Sequence, residues 1–469
     1  MGRRLFVVAC ASLLALVAAG RASAFSKHDV TLRMDDGVTL AATLYEPSTM
    51  PPMQGYPAVV LFHALGGKRQ DLDFIAQSWS DTFAILTFDA RGHGQSGGLV
   101  SIDGPREMAD TREIFNWLAA RTDINSRKIG AWGISLGGGA VLRSLVEGVP
   151  WAAVEPVETW TDLYSALAPQ DLAKSGAIFQ FLNSVPQDRL DPSVLAIKDD
   201  ALQSRNLSAL QAWAAQRSSR ALLSKVTTPI YFFQGRRDFA FDIAQATAGY
   251  RRVRYPKRLY IGDFGHAPST FPGPDIGAVL AEGKAWFTHY LLGAGPPSPP
   301  FILLAPNPWR GKARTYLQTP GTKILAFTFA GHNTLTGVAK AARTSCRLRA
   351  SVETFSSAKV RVTAKLAGGW SRVVAVLTAK APHGKTIVVS EGGVNTTGVR
   401  GRHKLTIRLL DAAPLIPRNA KLTLTLASSS LAQNPGNLLY LDLLMPAKAK
   451  VSLGPARLTL PILRKPVSR

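Results

Sequence analysis

The chain is poor in cysteine and in acidic residues, and each shortage excludes something. Only Cys10 and Cys346 occur in 469 residues, too few for a disulfide framework or a thiolate metal cluster. The eight histidines are dispersed without ligand spacing, so no metal is expected, and no cofactor motif stands out. The extended apolar run, Leu5 to Ala19, is shorter than the about 20 residues a membrane-spanning helix needs, and Gly20 and Arg21 end it. Arg3 and Arg4 before this run, and Ala22-Ser23-Ala24 after it, make it an export signal cleaved before Phe25. Val7-Val8-Ala9-Cys10 looks like a lipoprotein box, but the apolar run continues past the cysteine, which argues against lipidation. A periplasmic or secreted protein with Cys346 as its single cysteine is the expectation, and its stability must come from packing.

Acids number 31 against 55 lysines and arginines, a net charge of +24; removing residues 1–24 takes away three arginines and leaves +21. Such a charge attracts anionic envelope surfaces or polymers. The basic residues are scattered, no nucleic-acid-binding signature appears, and the chain is read as exported, so a nucleic-acid partner is not expected.

Length and a 46% hydrophobic content imply two domains. From 29 to 292, strand-like apolar runs alternate with amphipathic stretches, as in a mostly parallel sheet flanked by helices. A hairpin is expected around Asp36-Gly37. "YPAVVLFH" (56–63), "FAILTFD" (83–89), "KIGAWGI" (128–134), "PIYFFQG" (229–235) and "RLYIGDFG" (258–265) read as buried strands, with a short one near 152–154. Residues 156–226 break the alternation with helix-like sequence, a cap over the site. This α/β domain is expected at 25–292, a Gly/Pro linker at 293–302, and a β-sandwich at 303–469. In that last part six alternating runs, from "AKVRVTAKL" to "ARLTLPIL", are separated by turn residues.

"GAWGISLGGG" (130–139) places Ser135 between Gly133 and Gly137, after a strand and before a helix. A serine on so tight a turn is a nucleophile elbow, and a side chain at either glycine would collide there. Serine needs a base, and His266 in "GDFGHAP" follows the last strand of the domain. Asp238 in "QGRRDFAFD" follows the strand before it and would orient the imidazole, in preference to Asp242 or Asp263. The backbone N–H groups of Leu65, in "FHALGGK", and Leu136 are the candidate oxyanion donors. His63 and His93 read as structural, and His289 as a surface or packing residue. Arg236 and Arg237, beside the acid, would either depress the pKa of Asp238 or point to solvent.

"LFHALGG", "FDARGHGQSGG", "GISLGG", "GRRD" and "GH" together resemble an α/β-hydrolase. The insertion "TDLYSALAPQDLAKSG", "YFFQGRRDFAFDIAQA" and the terminal "LTLTLASSS" and "VSLGPARLTLPIL" are similar to the X-prolyl dipeptidyl-peptidase-like and cocaine-esterase-type hydrolases. That resemblance implies a hydrolase domain with a helical cap, then an all-β jelly-roll-like sandwich, with a small ester or peptide as substrate and no cofactor. Leu136 stands where the family often has tyrosine, and no tyrosine flanks "LFHALGG", which favours the Leu65 amide as donor.

An exported serine hydrolase working through an acyl-enzyme is the function these residues point to. An X-prolyl dipeptidyl peptidase is the alternative within the class, with Glu155, Glu158, Asp162, Trp151 and Trp160 as candidates for recognising the amino terminus and proline. Outside it stands a non-catalytic glycan- or envelope-binding protein using Phe355, Trp370 or Tyr440 as stacking platforms.

Overall fold

The computed structural model describes residues 25–464 apart from Tyr255, 296–298 and 338–339. The expected signal stretch, with Cys10, lies outside the described residues.

Ten strands form one sheet: β1 (Phe25–Arg33), β2 (Thr39–Pro47), β3 (Tyr56–Phe62), β4 (Ala84–Phe88), β5 (Ile124–Ile134), β6 (Val154–Val157), β7 (Ile230–Gly235), β8 (Lys257–Gly262), β9 (Phe301–Leu304) and β10 (Arg314–Tyr316). Their order is β1-β2-β4-β3-β5-β6-β7-β8-β9-β10. Pairing is parallel from β4 through β9 and antiparallel at β1–β2, β2–β4 and β9–β10. Strands β3, β4 and β7 are buried throughout, as continuous apolar runs covered by helices on both faces must be. In β3, Ala58, Val60 and Phe62 join the core on one face while Val59 and Leu61 join that on the other, the two-residue period of a strand.

The Gly/Pro linker does not end this sheet. β9 pairs with β8 and β10 with β9, so the boundary expected at 302/303 lies instead beyond Tyr316. Strands of four and three residues are too short to show a period in the sequence. The strand expected near 152–154 is β6, displaced to 154–157, and the insertion follows it. Its helices Leu163–Leu167, Ser175–Leu182, Pro192–Gln203 and Leu207–Ala215 share a core that includes Leu163, Leu182, Val194 and Leu210.

Besides a two-stranded sheet of Val352–Glu353 with Leu415–Ile416, the C-terminal part is built on two larger antiparallel sheets. One orders Thr322–Phe329, Lys450–Leu463, Lys359–Ala367 and Gly401–Arg408, with Asn333–Thr336 also on Lys450–Leu463. The other orders Ala342–Arg347, Lys421–Ala427, Arg372–Lys380 and Thr386–Asn395. Val360, Val362, Leu377, Leu424 and Val451 from both sheets fill one core, a sandwich. The six expected strands are present; 322–329, 333–336 and 342–347 are additional, with Lys, Arg, Thr, Asn and Ser weakening their alternation.

This sandwich is fastened to the cap. Gly176 N–H donates to Leu439 O (3.0 Å), Leu441 N–H to Ser175 Oγ (2.9 Å), and Gln170 Nε2 to Gly393 O (2.9 Å). A Cβ at Gly176 would stand 1.5 Å from the Leu438 carbonyl oxygen, so only glycine permits this approach.

Candidate active site

Ser135 sits between β5 and the helix Leu136–Val146 at φ 56°, ψ −115°, a conformation that costs an ordinary residue about 1–3 kcal/mol. The turn is fixed around it: Ser135 N–H donates to Val157 O (2.9 Å), and its carbonyl accepts from Gly139 N–H (3.1 Å) and Thr159 Oγ1 (2.8 Å). A Cβ at Gly133 would lie 2.2 Å from Gly137 O, and one at Gly137 2.3 Å from Phe62 O. Both glycines are therefore required by backbone approach.

His266 Nε2 lies 3.0 Å from Ser135 Oγ, and its Nδ1 lies 2.7 Å from Asp238 Oδ2. Asp238 is fully buried. Its Oδ1 accepts from the Ala240 and Phe241 N–H groups at 2.9 Å each, which leaves Oδ2 aimed at the imidazole. The rival carboxylates are engaged elsewhere: Asp242 precedes the helix Ile243–Arg252 and accepts from Asp411 N–H (2.8 Å), and Asp263 accepts from Asn307 Nδ2 (3.1 Å). Glu158, Asp238 and His266 bring three potential metal-ligand atoms within 4.8 Å of one another, but both imidazole nitrogens are already directed at Asp238 and Ser135.

Arg236 and Arg237 turn towards the C-terminal domain rather than to solvent. Arg236 is fully buried and crosses to the C-terminal domain, donating to Ala413 O (3.0 Å) and Glu353 (3.2 Å). Arg237 Nη2 donates to Val388 O (3.4 Å). A further tie comes from the cap: buried Lys174 donates to the carbonyls of Phe239 (3.0 Å) and Ala240 (2.7 Å), next to the acid.

His63 is buried with Nδ1 2.7 Å from Ala64 O, and its Nε2 accepts from Ala90 N–H at 2.9 Å. It is thus a neutral brace for the loop that carries Leu65. His93 packs edge-on at 4.9 Å, and burial pushes its pKa down to about 4. His289 packs edge-on against Tyr290 in the closing helix.

Leu65 and Leu136 line, with Ser135, a cavity of about 610 Å³ walled by Trp160, Leu163, Phe181 and Trp213 from the cap region. Its one charged lining residue is Lys198. Of the residues considered for recognising an amino terminus, only Trp160 lines it. Trp151 is in the core against Phe115, Glu155 is buried at the sheet's centre, and Asp162 caps the helix Leu163–Leu167. Glu158 is buried beside the Asp238–His266 pair, its Oε2 3.9 Å from His266 Nδ1. Sequence reasoning missed the cap's apolar chamber and the contacts of the C-terminal domain. The apolar positions of the four cap helices were a signal for the first; nothing local signalled the second.

The fold and the strand-to-helix turn at Ser135 define an α/β-hydrolase. Within that class the chain resembles the X-prolyl dipeptidyl-peptidase-like and cocaine-esterase-type hydrolases, and residues 36–268 match the family model described as X-Pro dipeptidyl-peptidase (S15 family). A CocE/NonD family hydrolase from Staphylococcus aureus is similar in structure with a TM-score of 0.70 at 13% identity, over 94% of each chain. An α-amino acid ester hydrolase gives 0.67 at 14% identity over 98% of each, and an aminopeptidase from a marine sediment Thaumarchaeota archaeon gives 0.65 at 14% over 94% of this chain and 97% of that one. In sequence, the quorum-quenching protein AidA of Acinetobacter baumannii (strain MDR-ZJ06) is 32% identical over 147 residues, 29% of this chain and 45% of that protein. An uncharacterized 31.7 kDa Escherichia coli protein is 34% identical over 95 residues, 20% and 33% respectively. The chain thus spans a third to just under a half of the length of these two curated relatives.

Proposed function

We propose that this protein is an exported serine esterase for substrates with an apolar acyl group, working through an acyl-enzyme on Ser135. The observation that carries the reading is the hydrogen-bonded sequence Ser135 Oγ, His266 Nε2, His266 Nδ1, Asp238 Oδ2, at 3.0 and 2.7 Å, opening into an apolar chamber. His266 takes the Ser135 proton as Oγ attacks the ester carbonyl. Asp238 holds the imidazole in the right tautomer and stabilises its cation. The Leu65 and Leu136 N–H groups receive the oxyanion, each worth about 3 kcal/mol when preorganised. Collapse expels the alcohol with the proton from His266, and water, activated by the same histidine, then frees the acid.

The chamber favours ester over dipeptide. A dipeptidyl peptidase must pair the substrate ammonium with a carboxylate, and none lines the chamber; its charged lining residue, Lys198, is itself a cation. Burying an unpaired ammonium costs several kcal/mol. The binding-only reading loses its platforms, since Phe355, Trp370 and Tyr440 are at most 3% exposed. Export rests on the N-terminal stretch alone. Among the described residues no helix is long and apolar enough to cross a membrane. The net charge supports a salt-sensitive attraction to anionic envelope surfaces.

The test is turnover of p-nitrophenyl esters of rising acyl length beside a Gly-Pro anilide. Preference for a medium-length acyl group, lost in Ser135→Ala, is the expected result; preference for the anilide would replace the esterase reading by the peptidase.

A further inference from the structure

Two cavities flank the triad and meet at one side chain. The apolar chamber is lined by Ser135 but not His266; a cleft of about 1230 Å³ is lined by His266 but not Ser135, and Phe181 lines both. The Phe181 ring stacks on Phe241 and stands edge-on to His266, centroids 5.8 Å away in each case. The two linings differ in kind. The cleft presents Gln180, Thr386, Glu391, Gln433, Asn434 and Asn437, with no lysine or arginine, and its outer wall is the 433–439 segment of the C-terminal domain.

In ester cleavage the proton held by His266 goes to the departing oxygen, so the alcohol leaves on the histidine's side. From this and the lining we propose that the cleft is the leaving-group site and takes a neutral, multiply hydroxylated alcohol. The proposal rests on the esterase reading. Charge decides the class. An anionic group would find a carboxyl and no cation. An ammonium group would need a free carboxylate, but Glu391 Oε2 already accepts from Ser430 Oγ and from Asn437 Nδ2 at 3.2 Å. Hydroxyl groups both donate and accept, which suits four side-chain amides and a threonine.

The experiment compares kcat/KM for three butyrate esters with one acyl group: ethyl butyrate, glyceryl monobutyrate and butyrylcholine. We expect the glyceryl ester to exceed the ethyl ester by about tenfold, with the choline ester no better than the ethyl. Gln180→Leu and Gln433→Leu, each checked for an unchanged thermal midpoint, should bring the glyceryl-to-ethyl ratio towards one. A ratio near one in the parent protein, a ratio that neither variant lowers, or a preference for the choline ester would overturn the proposal. Absence of turnover with all three esters would instead overturn the esterase reading on which it rests.

A different observation carries a second inference. Glu158 follows β6 at φ 49°, its Oε1 is buried without a hydrogen-bond partner, and its Oε2 lies 3.9 Å from His266 Nδ1. We infer that Glu158 is a latent positioning residue that pairs with His266 once the Asp238 charge is removed. The titratable groups that face it are His266, Asp238 and Asp275; burial first, then the two aspartates, holds its carboxyl well above the usual range. Burial and the neighbouring Asp238 carboxyl thus both disfavour the charged form of Glu158.

Asp238→Asn should retain about tenfold more kcat than Asp238→Asn combined with Glu158→Gln. Its pH–activity profile should carry an additional rise, from ionisation of Glu158, that the double variant lacks. Equal activities in single and double variants, or a residual activity without that rise, would contradict the assignment.

Discussion

The two halves of the proposed triad are built by different means. Ser135 is held by its own turn: two glycines that admit no Cβ, a strand behind it and a helix in front. Asp238 lies on the loop after β7, which is braced from outside by Lys174 of the cap and by Arg236 and Arg237 gripping the C-terminal domain, and His266, on the loop after β8, is held in turn by Asp238. The nucleophile's geometry is set by its own turn and the sheet strands beside it; that of the acid loop depends on residues 65 to 177 positions away in the cap and the C-terminal domain. The C-terminal sandwich supplies none of the three triad residues, yet it holds the loop on which the acid stands.

The difference is open to attack at either end. The largest effect belongs to Ser135→Ala, expected to lower ester kcat by at least about 10³-fold while leaving the thermal midpoint unchanged; steady-state kinetics beside calorimetry checks both. Arg236→Met removes a buried guanidinium from Ala413 O and Glu353, which keeps Arg314 as its partner at 2.6 Å. It should cost about 3 kcal/mol of stability and roughly tenfold in kcat, although Arg236 makes no hydrogen bond to the triad. An Arg236→Met protein with full activity would break the claim that the acid loop is braced from outside.

Glu391→Gln sharpens the account of the domain junction. Burial raises the Glu391 pKa to about 7 in the folded protein from an ordinary 4.5. The stabilisation of its neutral form is complete below pH 4.5 and is lost as pH rises through about 7. The glutamine variant, which never ionises, should gain about 3 kcal/mol over the parent at pH 8 and little at pH 4.5, as measured by denaturant melts at both pH values. The smallest expected effect is that of Ile197→Trp, which fills part of the half-buried chamber wall. It should shift the acyl-length optimum shorter by a few carbons, with only a few-fold change in rate on the shortest ester.

What was legible in the sequence follows the same division. The elbow announces itself because the turn needs glycine at fixed offsets from Ser135, and strands such as "AVVLF" announce themselves because a doubly covered strand is apolar throughout. Asp238 and His266 are found by chain order after β7 and β8, a topological cue. The courses of Arg236 and Arg237 are not legible: nothing near them in the chain says that a carbonyl at Ala413 awaits, and solvent is the default for arginine. The boundary near 302 misleads for a related reason, since β9 and β10 are recruited to the sheet edge by pairing with β8 rather than by a period of their own. The placement of Glu158 beside His266, and of the 433–439 segment across the cleft, likewise belongs to tertiary packing.

The most direct measurement is the intact mass of the parent protein and of Ser135→Ala after treatment with a fluorophosphonate and, separately, after rapid acid quenching during p-nitrophenyl ester turnover. A single adduct on the peptide containing Ser135, of phosphonyl mass in one case and acyl mass in the other, and absent from the variant, is the predicted result. An unlabelled parent protein, or a variant that still turns over the ester, would contradict Ser135 as the nucleophile.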